Sequence, residues 1–114
     1  MHWTWDPHKA AANRVRHGLS FETAAAVFDD PLHASKPDPH PHGDRWHTVG
    51  LVGPVLLLVV HTWPEDSDEG EPVGRIISAR KATARERKAY EEGSFQEIDT
   101  RAAIGTEVSG NPER

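Results

Sequence analysis

The chain contains no cysteine, so neither a disulfide framework nor thiolate chemistry is open to it. Long apolar runs are missing too. The longest, residues 55–60, falls far short of the roughly 20 residues that span a bilayer and suits a buried strand instead. Asp6 and His8 stand where the apolar core of a secretory signal would begin, so the start is not read as one. No G-x-S-x-G, P-loop, G-x-G-x-x-G or H-E-x-x-H occurs, which argues against the common hydrolase, nucleotide-binding and zinc-peptidase classes. These absences fit a soluble protein of the cytoplasm.

With 114 residues the chain is expected to form one domain, enough for one sheet covered by two or three helices. Its net charge of −5 gives no hint of a nucleic-acid partner, but the charge is unevenly spread. Glu65, Asp66, Asp68, Glu69 and Glu71 follow one another without a base. Arg75, Arg80, Lys81, Arg85, Arg87 and Lys88 then surround a single acid, Glu86. A mildly acidic protein can still bind phosphates through such a local basic surface.

Residues 2–5 alternate polar and aromatic side chains and read as a short strand. Asp6-Pro7 is a helix start, and Gly18 the left-handed stop after His17. Ser20 caps a second helix, with Phe21, Ala24, Ala25 and Phe28 on one apolar face. A Pro- and His-rich loop spans residues 37–43. Strands are expected over residues 45–52, 55–62 and 75–79, the second of them central and covered on both faces. The acidic connection 64–74 reads as exposed and mobile. Thr83-x-x-Glu86 is a capping box opening a helix that ends near Gly93. Phe95, Ile98 and Ala102 suggest a further short helix, followed by a disordered end. The order predicts an α+β fold: two N-terminal helices packed on a small, mainly antiparallel sheet, then a C-terminal helix. Residues 1–93 are expected to form the domain and residues 94–114 an extension.

Residues 75–88 are the most unusual segment. Arg85 and Arg87 near a helix N-terminus oppose its dipole, at a cost of about 0.3–1 kcal/mol each when exposed. Free N–H groups and guanidinium forks together suit a phosphate, which gives Lys81, Arg85 and Arg87 a binding role. The plain alternative is a basic helix pairing with the protein's own acids. On a regular strand Arg75 and Arg80 point to opposite faces, so a bulge or an early strand end is needed for them to converge. Glu86 is assigned to the helix cap. Cutting RNA without a metal requires a base for the 2′-hydroxyl, cations for the phosphorane and a proton for the leaving oxygen. Arg75 and Arg80 suit stabilisation, and Lys9, His17 and His61 are candidates for proton handling. Each histidine also has a structural reading, at a helix end for His17 and at a strand edge for His61. His40, His42 and His47 have loosely plausible metal-ligand spacing, but no cysteine and no helical i, i+4 pair supports them. No metal or other cofactor is expected.

The residues Trp5-Asp6-Pro7, Lys9, Asn13 and His17-Gly18 form one group. Ser20-Phe21-Glu22, Ala24 and Val27-Phe28-Asp29-Asp30-Pro31 form a second, and Arg45 with Gly50 a third. A fourth comprises Arg75-Ile76-Ile77-Ser78-Ala79-Arg80, Glu86-Arg87 and Tyr90. In this order and at these spacings the sequence resembles BrnT, the ribonuclease toxin of a type II toxin–antitoxin system. The resemblance implies a RelE-like fold and RNA cleavage that halts translation, with Arg45 near the RNA. It also implies neutralisation by a BrnA-like ribbon-helix-helix antitoxin, in a heterotetramer that reaches operator DNA only through the antitoxin, and no membrane partner. Three features depart from the family pattern: Gly43-Asp44 before Arg45, the long acidic connection 64–74, and the tail after Gly93. The alternative function is a non-enzymatic binding module or inactive relic, acting only as the partner of a DNA-binding protein.

Overall fold

The computed structural model describes residues 2–38, 44–66, 68 and 70–100. A strand β1 (His2–Thr4) leads into helix α1 (Pro7–His17). The start of α1 is fixed by Asp6, whose side chain accepts from the His8 N–H at 2.8 Å, and by Pro7 in the first turn. Gly18, at φ 72°, ends it with its N–H on the Arg14 carbonyl. Ser20 caps α2 (Phe21–Ala25) by accepting from the Thr23 N–H. The second helix was expected to continue regularly to Phe28. Instead the chain tightens into a 3₁₀ turn over Ala26–Asp29, a common way for a helix to end. This turn sets Phe28 against Trp3, with ring centroids 4.3 Å apart.

Four further strands follow: β2 (Ala34–Pro37), β3 (Trp46–Val52), β4 (Val55–His61) and β5 (Val73–Lys81). The sheet order is β1-β5-β4-β3-β2, with β1 parallel to β5 and the other pairs antiparallel. The sheet is therefore mixed, because the N-terminal strand joins β5 rather than extending the meander. β2 went unread in the sequence, since Pro37 and its polar neighbours resemble a loop. As an edge strand pairing only with β3 it tolerates proline. β4 lies at the centre and is buried on both faces, as its unbroken apolar run predicts.

One face of the sheet buries Leu57, Val59, Ile76 and Ala79 beneath Phe21, Ala24 and Val27. The other buries Val49, Leu56, Leu58 and Val60 beneath Ala89 and Phe95. Gly50 lets the 3₁₀ turn sit directly on β3, because a Cβ there would come within 2.9 Å of the Val27 carbonyl oxygen. Helix α3 (Ala84–Glu92) carries both bonds of the expected capping box, and Gly93 closes it at φ 74°. Tyr90 of α3 donates to Asp30 Oδ2 at 2.6 Å, and the same oxygen accepts from the Leu51 N–H, tying α3 to the 3₁₀ turn and β3. The short helix expected around Phe95 is a single 3₁₀ turn, Phe95–Glu97, with Phe95 fully buried. Ala102 and the expected disordered end lie outside the described residues. In the acidic connection, Glu65 and Val73 exchange backbone hydrogen bonds, so its two ends are joined.

Candidate active site

β1 covers only the first part of β5, pairing with residues 73–75. Beyond it the outer edge of β5 would present unpaired backbone groups. Asn13 of α1 fills that position. Its Oδ1 accepts from the Ala79 N–H at 3.1 Å and its Nδ2 donates to the Ala79 carbonyl at 3.0 Å. The side chain thus acts as a missing strand residue and fixes one face of α1 against the sheet edge. Lys9, Arg16 and His17 stand at i−4, i+3 and i+4 from Asn13, and so share that face.

Between α1 and the sheet lies a cleft of about 470 Å³. Leu58, Val60 and Ile77 contribute apolar surface, and Lys9, Arg16, His17 and Arg80 contribute the basic groups. No acidic side chain lines it among the described residues. The His17 imidazole is held below its ordinary value, by desolvation first and then by the positive charges of Arg16 and Arg80. It is consequently neutral at physiological pH and able to accept a proton. Arg80 is gripped by Glu86 through two bonds of 2.8 Å, Nη1 to Oε1 and Nη2 to Oε2, with a third from Nη1 to the Lys81 carbonyl. Glu86 therefore caps α3 and also orients Arg80. The Arg80 Nε is buried and meets no acceptor.

The strand carrying Arg75 and Arg80 does bulge. Val60 pairs with Ser78 and His61 with Ile76, which leaves Ile77 as the extra residue. Ile76 and Ala79 accordingly join one core and Ile77 the other, and the alternation places Arg75 on the face of the sheet that carries Ile77 and Arg80. The two arginines nonetheless occupy different clefts. Arg75 lines a second depression with Thr4, Thr62 and Trp63, about 16 Å along the strand by residue spacing.

His61 does not reach the cleft. It is buried on the opposite face among Trp3 and Phe28, with its Nδ1–H donated to the Thr62 carbonyl and its Nε2 accepting from Thr48. Burial lowers its pKa to about 4, so it is a neutral structural residue, not an accessible proton carrier. Lys81, Arg85 and Arg87 are exposed, Arg87 lies 3.8 Å from Glu91, and none of the three lines the cleft. Arg45 likewise stands outside it. His47 is buried between Asp38, at 3.2 Å, and the Thr100 hydroxyl. His40 and His42 lie outside the described residues, among which no group of three or more potential ligands is arranged for a metal.

Of the residues nominated from the sequence, Lys9, His17 and Arg80 meet in one cleft, together with Arg16 and Asn13, which were not nominated. The signal for both was present in the helical spacing from Lys9. A small α+β protein whose single helix face and strand end build a cationic cleft around a neutral histidine is equipped for phosphodiester chemistry. In agreement, the family model of the ribonuclease toxin BrnT of type II toxin–antitoxin systems matches residues 5–86. The chain belongs to this family of ribonuclease toxins, and membership implies an antitoxin partner. No curated protein matches the sequence. Among the described residues, no helix is long and apolar enough to cross a membrane.

Proposed function

We propose that the protein is a metal-independent endoribonuclease of the cytoplasm that cuts RNA within the α1–β5 cleft and thereby inhibits translation. The observation that carries this reading is the convergence of Lys9, Arg16, His17 and Arg80 on one acid-free cleft. Neutral His17 removes the proton of a 2′-hydroxyl, and the 2′-oxygen attacks the adjacent phosphorus. The bond from phosphorus to the 5′-oxygen breaks, Lys9 protonates the leaving oxygen, and the products are a 2′,3′-cyclic phosphate and a 5′-hydroxyl. Arg16 and Arg80 stabilise the charge of the phosphorane. The cationic lining supports a mechanism without metal, since Lys9 and Arg16 repel a divalent cation and the Glu86 carboxylate is taken up by Arg80. Arg75, Lys81, Arg85 and Arg87, with Arg45, serve at most in holding RNA outside the scissile phosphate.

The antitoxin is a BrnA-like ribbon-helix-helix protein that forms a heterotetramer with this toxin in a RelE-like fold, and the complex reaches its operator DNA through the antitoxin. Expression of the chain alone should arrest growth and degrade RNA, and co-expression of the ribbon-helix-helix protein should relieve both effects. If Arg80→Ala arrests growth as strongly as the parent, the cleft is not the site. If the parent leaves RNA intact, the chain acts only as a binding partner.

A further inference from the structure

The second depression on this face of the sheet belongs to none of the chemistry above. Trp63 is 49% exposed, whereas Phe21 and Phe95 in the two cores are fully buried. Its ring leans on that of Trp46, with centroids 4.4 Å apart and planes inclined by 43°. The site is held by backbone. The Thr62 N–H donates to the Arg75 carbonyl at 2.9 Å, and the Arg75 N–H donates to Thr62 Oγ1 at 3.0 Å. Trp63, next in the chain, donates its N–H to Asp44 Oδ2. An exposed indole is therefore locked beside an exposed guanidinium, which no hydrogen bond or ion pair engages among the described residues, above a depression of about 470 Å³.

We infer that Trp63, backed by Trp46 and flanked by Arg75, is a subsite for single-stranded RNA, in which the indole stacks an unpaired base and Arg75 holds a neighbouring phosphate. An aromatic platform next to a cation is the pairing that binds unpaired nucleotides without needing their sequence. The β-bulge at Ile77 supplies the second half of the argument. It turns Arg75, which lines the depression with Trp63, onto the Arg80 face, about 16 Å from Arg80 along one strand. That span corresponds to about two or three nucleotides, so an RNA chain lying along β5 meets both arginines, with Trp63 beside the first. Asp44 and Glu65 also line the depression. Their charge disfavours a phosphate at the platform itself and leaves Arg75 as its anchor. The subsite rests on the ribonuclease reading, to which it adds a single-stranded substrate longer than the cleft.

The test compares the full-length chain with Trp63→Ala, Trp63→Phe, Arg75→Ala and His17→Gln. Binding is measured by anisotropy on a labelled 2′-O-methyl octanucleotide, and cleavage on an octanucleotide and a dinucleotide of RNA. Trp63→Ala should weaken octanucleotide binding about tenfold and leave dinucleotide cleavage unchanged, and Trp63→Phe should restore most of the loss. Arg75→Ala should lower the salt dependence of octanucleotide binding by about one phosphate contact. If Trp63→Ala and Arg75→Ala bind the octanucleotide like the parent while His17→Gln abolishes cleavage, the subsite is wrong and the ribonuclease reading stands. If the parent neither binds nor cuts RNA, both fall. Equal losses on octanucleotide and dinucleotide would also overturn the subsite, since they would place Trp63 at the scissile phosphate.

Discussion

Asn13 makes two hydrogen bonds to Ala79, one to each of its backbone groups, across 66 residues of sequence. This side chain decides where α1 stands, and therefore where Lys9, Arg16 and His17 stand. Asn13→Ala leaves a buried N–H and a buried carbonyl without partners, and each such group costs about 1–3 kcal/mol. Urea denaturation should show a loss in that range or above. RNA cleavage at a temperature where the variant remains folded should fall as well, because the cationic groups lose their common anchor.

His17→Gln should lower the cleavage rate by about 10²–10⁴-fold with little change in RNA affinity, as expected when a proton acceptor is lost but the cations remain. The pH dependence is more specific. Desolvation, Arg16 and Arg80 all hold His17 below its usual value of 6.5, so the acidic limb of the rate profile should lie below that pH. A rate that declines as the pH is lowered from 8 to 7 at constant temperature, with the parent's His17 in place, would remove the histidine from the role of base.

Glu86 joins two tasks, the cap of α3 and the grip on Arg80. It is 2% exposed, and loss of one partner from a buried pair leaves the other charge uncompensated, typically at about 3–5 kcal/mol. Glu86→Ala should therefore destabilise by that order in thermal or chemical unfolding. Glu86→Gln keeps an acceptor for the Thr83 N–H and should lose less. Equal stability of all three forms would show that the pair does not hold α3 to β5.

Stability should also fall at mildly acidic pH, independently of activity. His61 has a folded pKa of about 4 and an unfolded pKa near 6.5. Between these values the unfolded chain binds the extra proton, so stability is complete above about pH 6.5 and declines as pH falls toward 4. The shift corresponds to about 3 kcal/mol. His47, also held low mainly by burial, acts in the same direction. His61→Phe should flatten this dependence, as followed by unfolding midpoints across the window.

Much of the frame was legible because local signals were strong. Asp6-Pro7, Ser20, Thr83 with Glu86, and the glycines at 18 and 93 fixed the helix ends, and the apolar run of β4 announced a central strand. What escaped depended on partners distant in sequence. β2 is a strand only because β3 offers it an edge, and β1 makes the sheet mixed by pairing 71 residues away with β5. The face of Arg75 turned on one bulged residue, which alternation alone does not reveal. His61 ends an apolar strand in either reading, and only the aromatic cluster of Trp3 and Phe28 decides that it is buried. Lys9, His17 and Arg80 could be nominated singly, whereas their meeting required Asn13 at the edge of β5.

The most direct measurement of the central claim is cleavage of a single-stranded RNA by the purified chain in the presence of a chelator, with product ends identified by mass. The account predicts a 2′,3′-cyclic phosphate and a 5′-hydroxyl, loss of cleavage when the 2′-hydroxyl at the scissile position is replaced by hydrogen, and a large loss in His17→Gln and Arg80→Ala. Cleavage that tolerates the 2′-deoxy substitution, or that proceeds at the parent rate in both variants, would contradict it.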